Sequence, residues 1–126
     1  MEYRAPIKQA RGLGAAHHGT GHWWAQRLTA VALVPLVLWL VIGIASNAGG
    51  GYEAAAAWVG NPVNAVLLIL FFGAMFYHAS LGLQVILEDY VSNEALRLVL
   101  IVLEKFAALL LAVTAIFAVL MTAFGG

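Results

Sequence analysis

The sequence predicts an all-α integral membrane protein with three transmembrane helices, and three observations carry that reading. The chain of 126 residues is 63% hydrophobic and 10% charged, against roughly 45–50% apolar and roughly 25% charged in soluble domains. The excess falls in three stretches nearly free of charge, residues 28–46, 62–87 and 98–124. Each is close to or above the ~20 residues a helix needs to cross a hydrocarbon core of ~30 Å. Barrel strands are about half as long, and a span in lipid must satisfy its own backbone polar groups, so helices are the consistent solution.

Residues 1–27 form a polar N-terminal segment holding Arg4, Lys8, Arg11 and Arg27 together with His17, His18 and His22. A cleaved signal peptide is rejected, because the polar preamble is 27 residues long and the apolar run after it exceeds the ~7–15 residues of a signal core. The first helix is placed at about 24–46, and the stretch from Asn47 to Gly51 ends it. The connection 47–61 has no Lys or Arg and one acid, Glu53. The positive-inside rule then puts the N-terminus in the cytoplasm, or in the matrix of an organelle, and three crossings put the C-terminus on the periplasmic side. Trp23, Trp24 and Tyr90 mark one interface, and Trp39, Tyr52 and Trp58 the other, as aromatic belts do.

Asn61 followed by Pro62 reads as an N-cap with proline at the first helical position, opening a second helix at about 62–88. Ser92 and Asn93 precede a third at about 95–124. Residues 1–126 thus make a single membrane domain. Glu104 and Lys105 interrupt the third helix. Neighbours in a helix point ~100° apart, so these two are not expected to pair with each other; Lys105 is expected to snorkel and Glu104 to meet a group on another helix or subunit. Absence of cysteine excludes disulfides and thiolate metal sites. A formal net charge of zero without a dense basic cluster excludes nucleic acid as a partner.

His78 is the most informative residue. It stands nine residues before Leu87, about 14 Å of helical rise, which is near half the hydrocarbon thickness. An ionisable group at that depth is a functional candidate that faces the bundle interior. Ala74 at i−4 and Gly82 at i+4 leave the same helix face low enough to admit a flat macrocycle, and imidazole is an axial ligand of haem iron. The same residues also read as a small-xxx-small packing seam in which His78 gives an interhelical hydrogen bond. Both readings stand at this level. One helical histidine supplies one axial position, and the other three precede helix one, so a six-coordinate haem would take its second ligand from another chain.

Asp89 follows His78 by eleven residues, close to three turns, and lies on nearly the same face about 16 Å further along. Beside it, the Tyr90 phenol suits the carbonyl oxygen of a quinone head group, with Asp89 to orient it or relay protons. The competing reading is an interfacial helix end with an aromatic anchor.

The run His78-Ala79-Ser80-Leu81-Gly82, with Asp89-Tyr90-Val91 after it, resembles the smaller cytochrome b membrane anchor subunit, the D subunit, of succinate dehydrogenase (respiratory complex II). Arg27-Leu28-Thr29-Ala30 and Ala95-Leu96-Arg97-Leu98 are similar to that family's entries to helices one and three. The resemblance implies that His78 is an axial ligand of the haem b iron and that Asp89 and Tyr90 lie at a ubiquinone site, with Trp24 packed near it. Arg27 would neutralise a haem propionate or support the quinone pocket, against the alternative of an ordinary positive anchor. Residues 12–24 are similar to the family's Gly/His-rich preamble, which implies a cofactor-side role for His22 and leaves those of His17 and His18 open. The implied partners are a second cytochrome b anchor subunit, an iron–sulfur subunit, a flavoprotein subunit and membrane lipid. The implied location is a bacterial cytoplasmic or mitochondrial inner membrane. On this reading the chain carries no dehydrogenase chemistry itself. A fumarate reductase anchor and a cofactor-free structural membrane subunit are the alternatives.

Overall fold

The computed structural model describes residues 14–125, with side chains from Thr20 onward. Arg4, Lys8, Arg11, His17 and His18 lie outside the described side chains. Four helices follow one another: α1 (Gly14–Ser46), α2 (Gly51–Gly60), α3 (Pro62–Tyr90) and α4 (Glu94–Phe124). No strand occurs among the described residues. Three of the helices are long and apolar enough to cross a membrane: Thr20–Ser46 within α1, and the whole of α3 and α4.

Capping side chains set the ends. Asn61 accepts from the Val63 amide at 3.0 Å and the Asn64 amide at 3.4 Å, with Pro62 in the first turn. Asn93 accepts from the Leu96 amide at 2.9 Å to open α4. Each bond satisfies an amide that the first turn of a helix leaves without an intrahelical partner.

Two boundaries differ from expectation. The first helix starts ten residues earlier than about 24, because residues 14–23 contain no proline and continue the helix into the polar segment. The connection 47–61 is not a plain loop, since its alanine run, Ala54 to Ala57, supports the ten-residue α2. Gly51, at φ +72°, supplies the left-handed conformation that turns the chain from α1 into α2. Trp58 then lies against α1, stacked on Trp39 with ring centroids 5.0 Å apart. A Cβ at Gly43 would overlap the Trp58 ring, so glycine is what lets the indole sit there.

Helix α3 is central: α1 and α4 both pack on it, and α2 bridges α3 and α4 at one end. The core at that end joins Ala65, Leu68 and Val119, covered by Trp39, Leu40, Trp58 and Phe72. Elsewhere large apolar side chains such as Leu28, Val31, Val34, Phe106 and Leu110 point outward. That distribution suits lipid as the surroundings, where apolar exposure carries no cost.

Candidate functional site

Helices α1 and α3 meet along a polar strip. His22, Gln26 and Thr29 recur at i, i+4 and i+7 on α1 and so share a face; Gly82 and His78, one turn apart, answer them on antiparallel α3. Thr29 Oγ1 lies 2.9 Å from His78 Nδ1. The same hydroxyl lies 2.8 Å from the Ala25 carbonyl and 3.1 Å from that of Gln26. One turn along, the Gln26 side chain packs against Gly82, whose Cβ would stand in ordinary contact, 3.6 Å, with the Gln26 amide nitrogen. His22 Nε2 and Gln26 Oε1 are buried without a hydrogen-bond partner among the described residues. His78 itself is partly buried, and its Nε2 has no hydrogen bond to any described group.

The other residues singled out from the sequence are exposed. The Arg27 guanidinium stands 4.9 Å from the Trp23 ring centroid, and Trp23 meets Trp24 edge to face at 4.9 Å. A cation over indole contributes about 0.5–1 kcal/mol where exposed. Asp89 and Tyr90 occupy the last turn of α3, Tyr90 being 83% exposed, and neither is hydrogen-bonded to a described group. Within this chain, therefore, the fold joins His78 to Thr29, Arg27 to Trp23, and Trp23 to Trp24. It does not join Asp89 and Tyr90 to either.

The opposite face of α3 carries a second polar contact. Ser80 Oγ donates to Glu104 Oε1 at 2.9 Å, and Lys105 Nζ donates to Ser80 Oγ at 2.8 Å. Lys105 Nζ also lies 3.1 Å from Glu104 Oε2. The expectation that these neighbours do not pair is overturned: both side chains bend toward one serine, and the flexible lysine stem spans the angle between them. The expectation that Glu104 meets another helix is met by Ser80. Lys105 and Ser80 line a cleft of about 520 Å³ between α3 and α4, with Tyr77 and Gln84 at its wall. No group of three or more potential metal-ligating side chains occurs among the described residues.

Sequence reasoning did not assign a role to Thr29, Gln26 or Ser80. Thr29 and Ser80 sit inside the motifs at Arg27 and His78, but a hydroxyl in an apolar helix gives no sign of which neighbour it meets until the helices are paired.

A model of the succinate dehydrogenase/fumarate reductase transmembrane subunit matches residues 1–121. The succinate dehydrogenase hydrophobic membrane anchor subunit of Rickettsia bellii (strain RML369-C) is 36% identical over 118 residues, covering 94% of each chain. The protein of the same name from Paracoccus denitrificans is 38% identical over 90 residues, 71% of this chain and 70% of its own. The succinate dehydrogenase membrane anchor subunit of Reclinomonas americana is 31% identical over 94 residues, 72% of this chain and 78% of its own. No solved structure matches significantly.

Proposed function

Because the chain belongs to the succinate dehydrogenase/fumarate reductase transmembrane subunit family, we propose that it is the multi-pass inner-membrane anchor of a succinate:quinone oxidoreductase, holding haem b through His78 and forming part of a ubiquinone site. The names of the relatives favour the succinate direction over fumarate reduction. The carrying observation is His78: an imidazole in mid-span of α3, held at Nδ1 by Thr29, with Nε2 free of any described group.

These residues fit a haem. A neutral imidazole nitrogen is a suitable donor to iron in a dry setting, and His78 offers Nε2 while Nδ1 meets Thr29; the Gly82 face, which the sequence left open for a macrocycle, instead receives the Gln26 side chain of α1. When bound, the haem would supply a one-electron redox centre or brace the anchors, held from this chain by His78 and from the other side by a second cytochrome b anchor. Arg27 offers a guanidinium to carboxylates at the end of the strip, and His22 and Gln26 offer buried polar atoms beside it.

Tyr90 and Asp89 serve the quinone. Tyr90 donates a hydrogen bond from its phenolic O–H to a quinone carbonyl, Asp89 passes protons from the aqueous side, and Trp24 walls the head group. Their exposure in the isolated chain suits a pocket closed by the iron–sulfur subunit. Succinate oxidation belongs to the flavoprotein, and this chain docks the soluble subunits to the side where its N-terminus lies.

The test is the reduced-minus-oxidised absorption spectrum of the purified complex with its subunits identified. Bands of a b-type haem, lost in His78→Ala while the complex remains membrane-bound, are the expected result. A wild-type complex without them would leave a cofactor-free structural subunit as the better reading.

A further inference from the structure

We infer that Thr29 is a positioning residue for the iron: it fixes the tautomer of His78 so that Nε2 carries the free lone pair, and it strengthens that nitrogen as a ligand. The inference rests on the haem reading above. It follows from counting protons at one hydroxyl.

Thr29 Oγ1 has one proton and two lone pairs. It touches the Ala25 carbonyl at 2.8 Å and the Gln26 carbonyl at 3.1 Å, on the preceding turn of its own helix, and His78 Nδ1 at 2.9 Å across the helix interface. A carbonyl oxygen can only accept. If the hydroxyl gave its proton to His78, the contacts to both carbonyls would be oxygen against oxygen with no hydrogen between them. If the proton goes to Ala25, the ring contact is a hydrogen bond only when Nδ1 is protonated and donates to Oγ1. That assignment alone, Nδ1–H to Oγ1–H to the Ala25 carbonyl, makes hydrogen bonds of both the 2.8 Å and the 2.9 Å contacts.

In a neutral imidazole a proton on Nδ1 leaves Nε2 bare, and Nε2 is the nitrogen that no described residue occupies. The acceptor at Nδ1–H also pushes electron density into the ring. Outer hydrogen bonds of this kind orient a ligating histidine and raise its basicity. A more basic ligand favours the ferric over the ferrous state, so Thr29 lowers the reduction potential of the haem. Because Thr29 sits on α1 and His78 on α3, the contact also couples the packing of two spans to the set of the ring.

The experiment compares Thr29→Val and Thr29→Ser in the assembled complex, reading haem occupancy, midpoint potential and the electron paramagnetic resonance of the ferric haem. Valine keeps the shape and removes the hydroxyl; serine keeps the hydroxyl. The expected result is an upward shift of the potential with altered ferric g-values in Thr29→Val, and wild-type behaviour in Thr29→Ser. Thr29→Val with wild-type potential and g-values at full occupancy overturns the inference while leaving the haem reading intact. If Thr29→Val fails to assemble, serine decides: wild-type occupancy and potential support the hydroxyl's role, and a serine variant as defective as valine assigns Thr29 to packing and overturns it. Absence of haem from the wild-type complex removes the functional reading itself, a different outcome from all of these.

Discussion

At the scale of single residues, two polar groups on α3 answer to different tests. Tyr90 is exposed at the helix end, so Tyr90→Phe removes one hydroxyl with little effect on folding. Losing a hydrogen bond worth about 1.4 kcal/mol corresponds to about a tenfold fall in rate. Quinone reduction by the complex is therefore expected to fall on the order of tenfold while succinate oxidation with a soluble dye is retained; equal loss in both assays would make Tyr90 structural. Ser80, Glu104 and Lys105 test stability instead. The Glu104 side chain is 7% exposed and has Lys105 as its charge partner. Lys105→Met strands that carboxylate, whereas Glu104→Gln with Lys105→Met removes both charges and keeps a group to meet Ser80. The single variant should be the less stable by about 1–2 kcal/mol, the range of polar contacts between membrane helices, as measured by unfolding in mixed micelles. Equal stability would mean that the pair carries nothing. His78 was legible in the sequence because an imidazole at mid-span is costly in lipid. Its partner was not, since threonine in an apolar helix is ordinary until the helix opposite is known.

At the scale of elements, the three spans follow from hydropathy and length, and their caps from Asn61 and Asn93. Helix α2 did not follow: its ten residues are too few to show a helical period beside three much longer runs, and its glycine-rich approach reads as a loop. What holds it is tertiary, namely Trp58 against Gly43 and Trp39. Gly43→Val places a side chain where the indole lies. Overpacking of this kind costs typically about 1–3 kcal/mol, so the α1–α2 turn is expected to open. Faster proteolysis between residues 48 and 51 in Gly43→Val would register it. Unchanged cleavage would mean that α2 is held by its contacts with α3 and α4 alone.

At the scale of the whole molecule, the polar strip and the exposed aromatic-basic cluster share one end of the bundle, while α2 and the apolar core occupy the other. The two ends are chemically unlike, and the bases follow the same division: Arg27 and Arg97 lie with Tyr90, and the turn into α2 has none. Arg97 Nη1 donates to the Val91 carbonyl at 3.2 Å, keeping its charge at the loop between α3 and α4. Positively charged loops stay on the cytoplasmic face, so Ser92 is expected inside and Ala48 outside. The chain contains no cysteine, which allows Ser92→Cys and Ala48→Cys to be read separately with an impermeant thiol reagent on intact bacterial cells whose outer membrane has been permeabilised. Labelling of Ala48→Cys, with Ser92→Cys protected until the inner membrane is breached, is the expected pattern. On the proposed function, it puts Tyr90 and Asp89 on the side from which protons and the soluble subunits would come. The reverse pattern would place Tyr90 and Asp89 away from the proposed iron–sulfur partner and overturn the proposed docking arrangement along with the orientation.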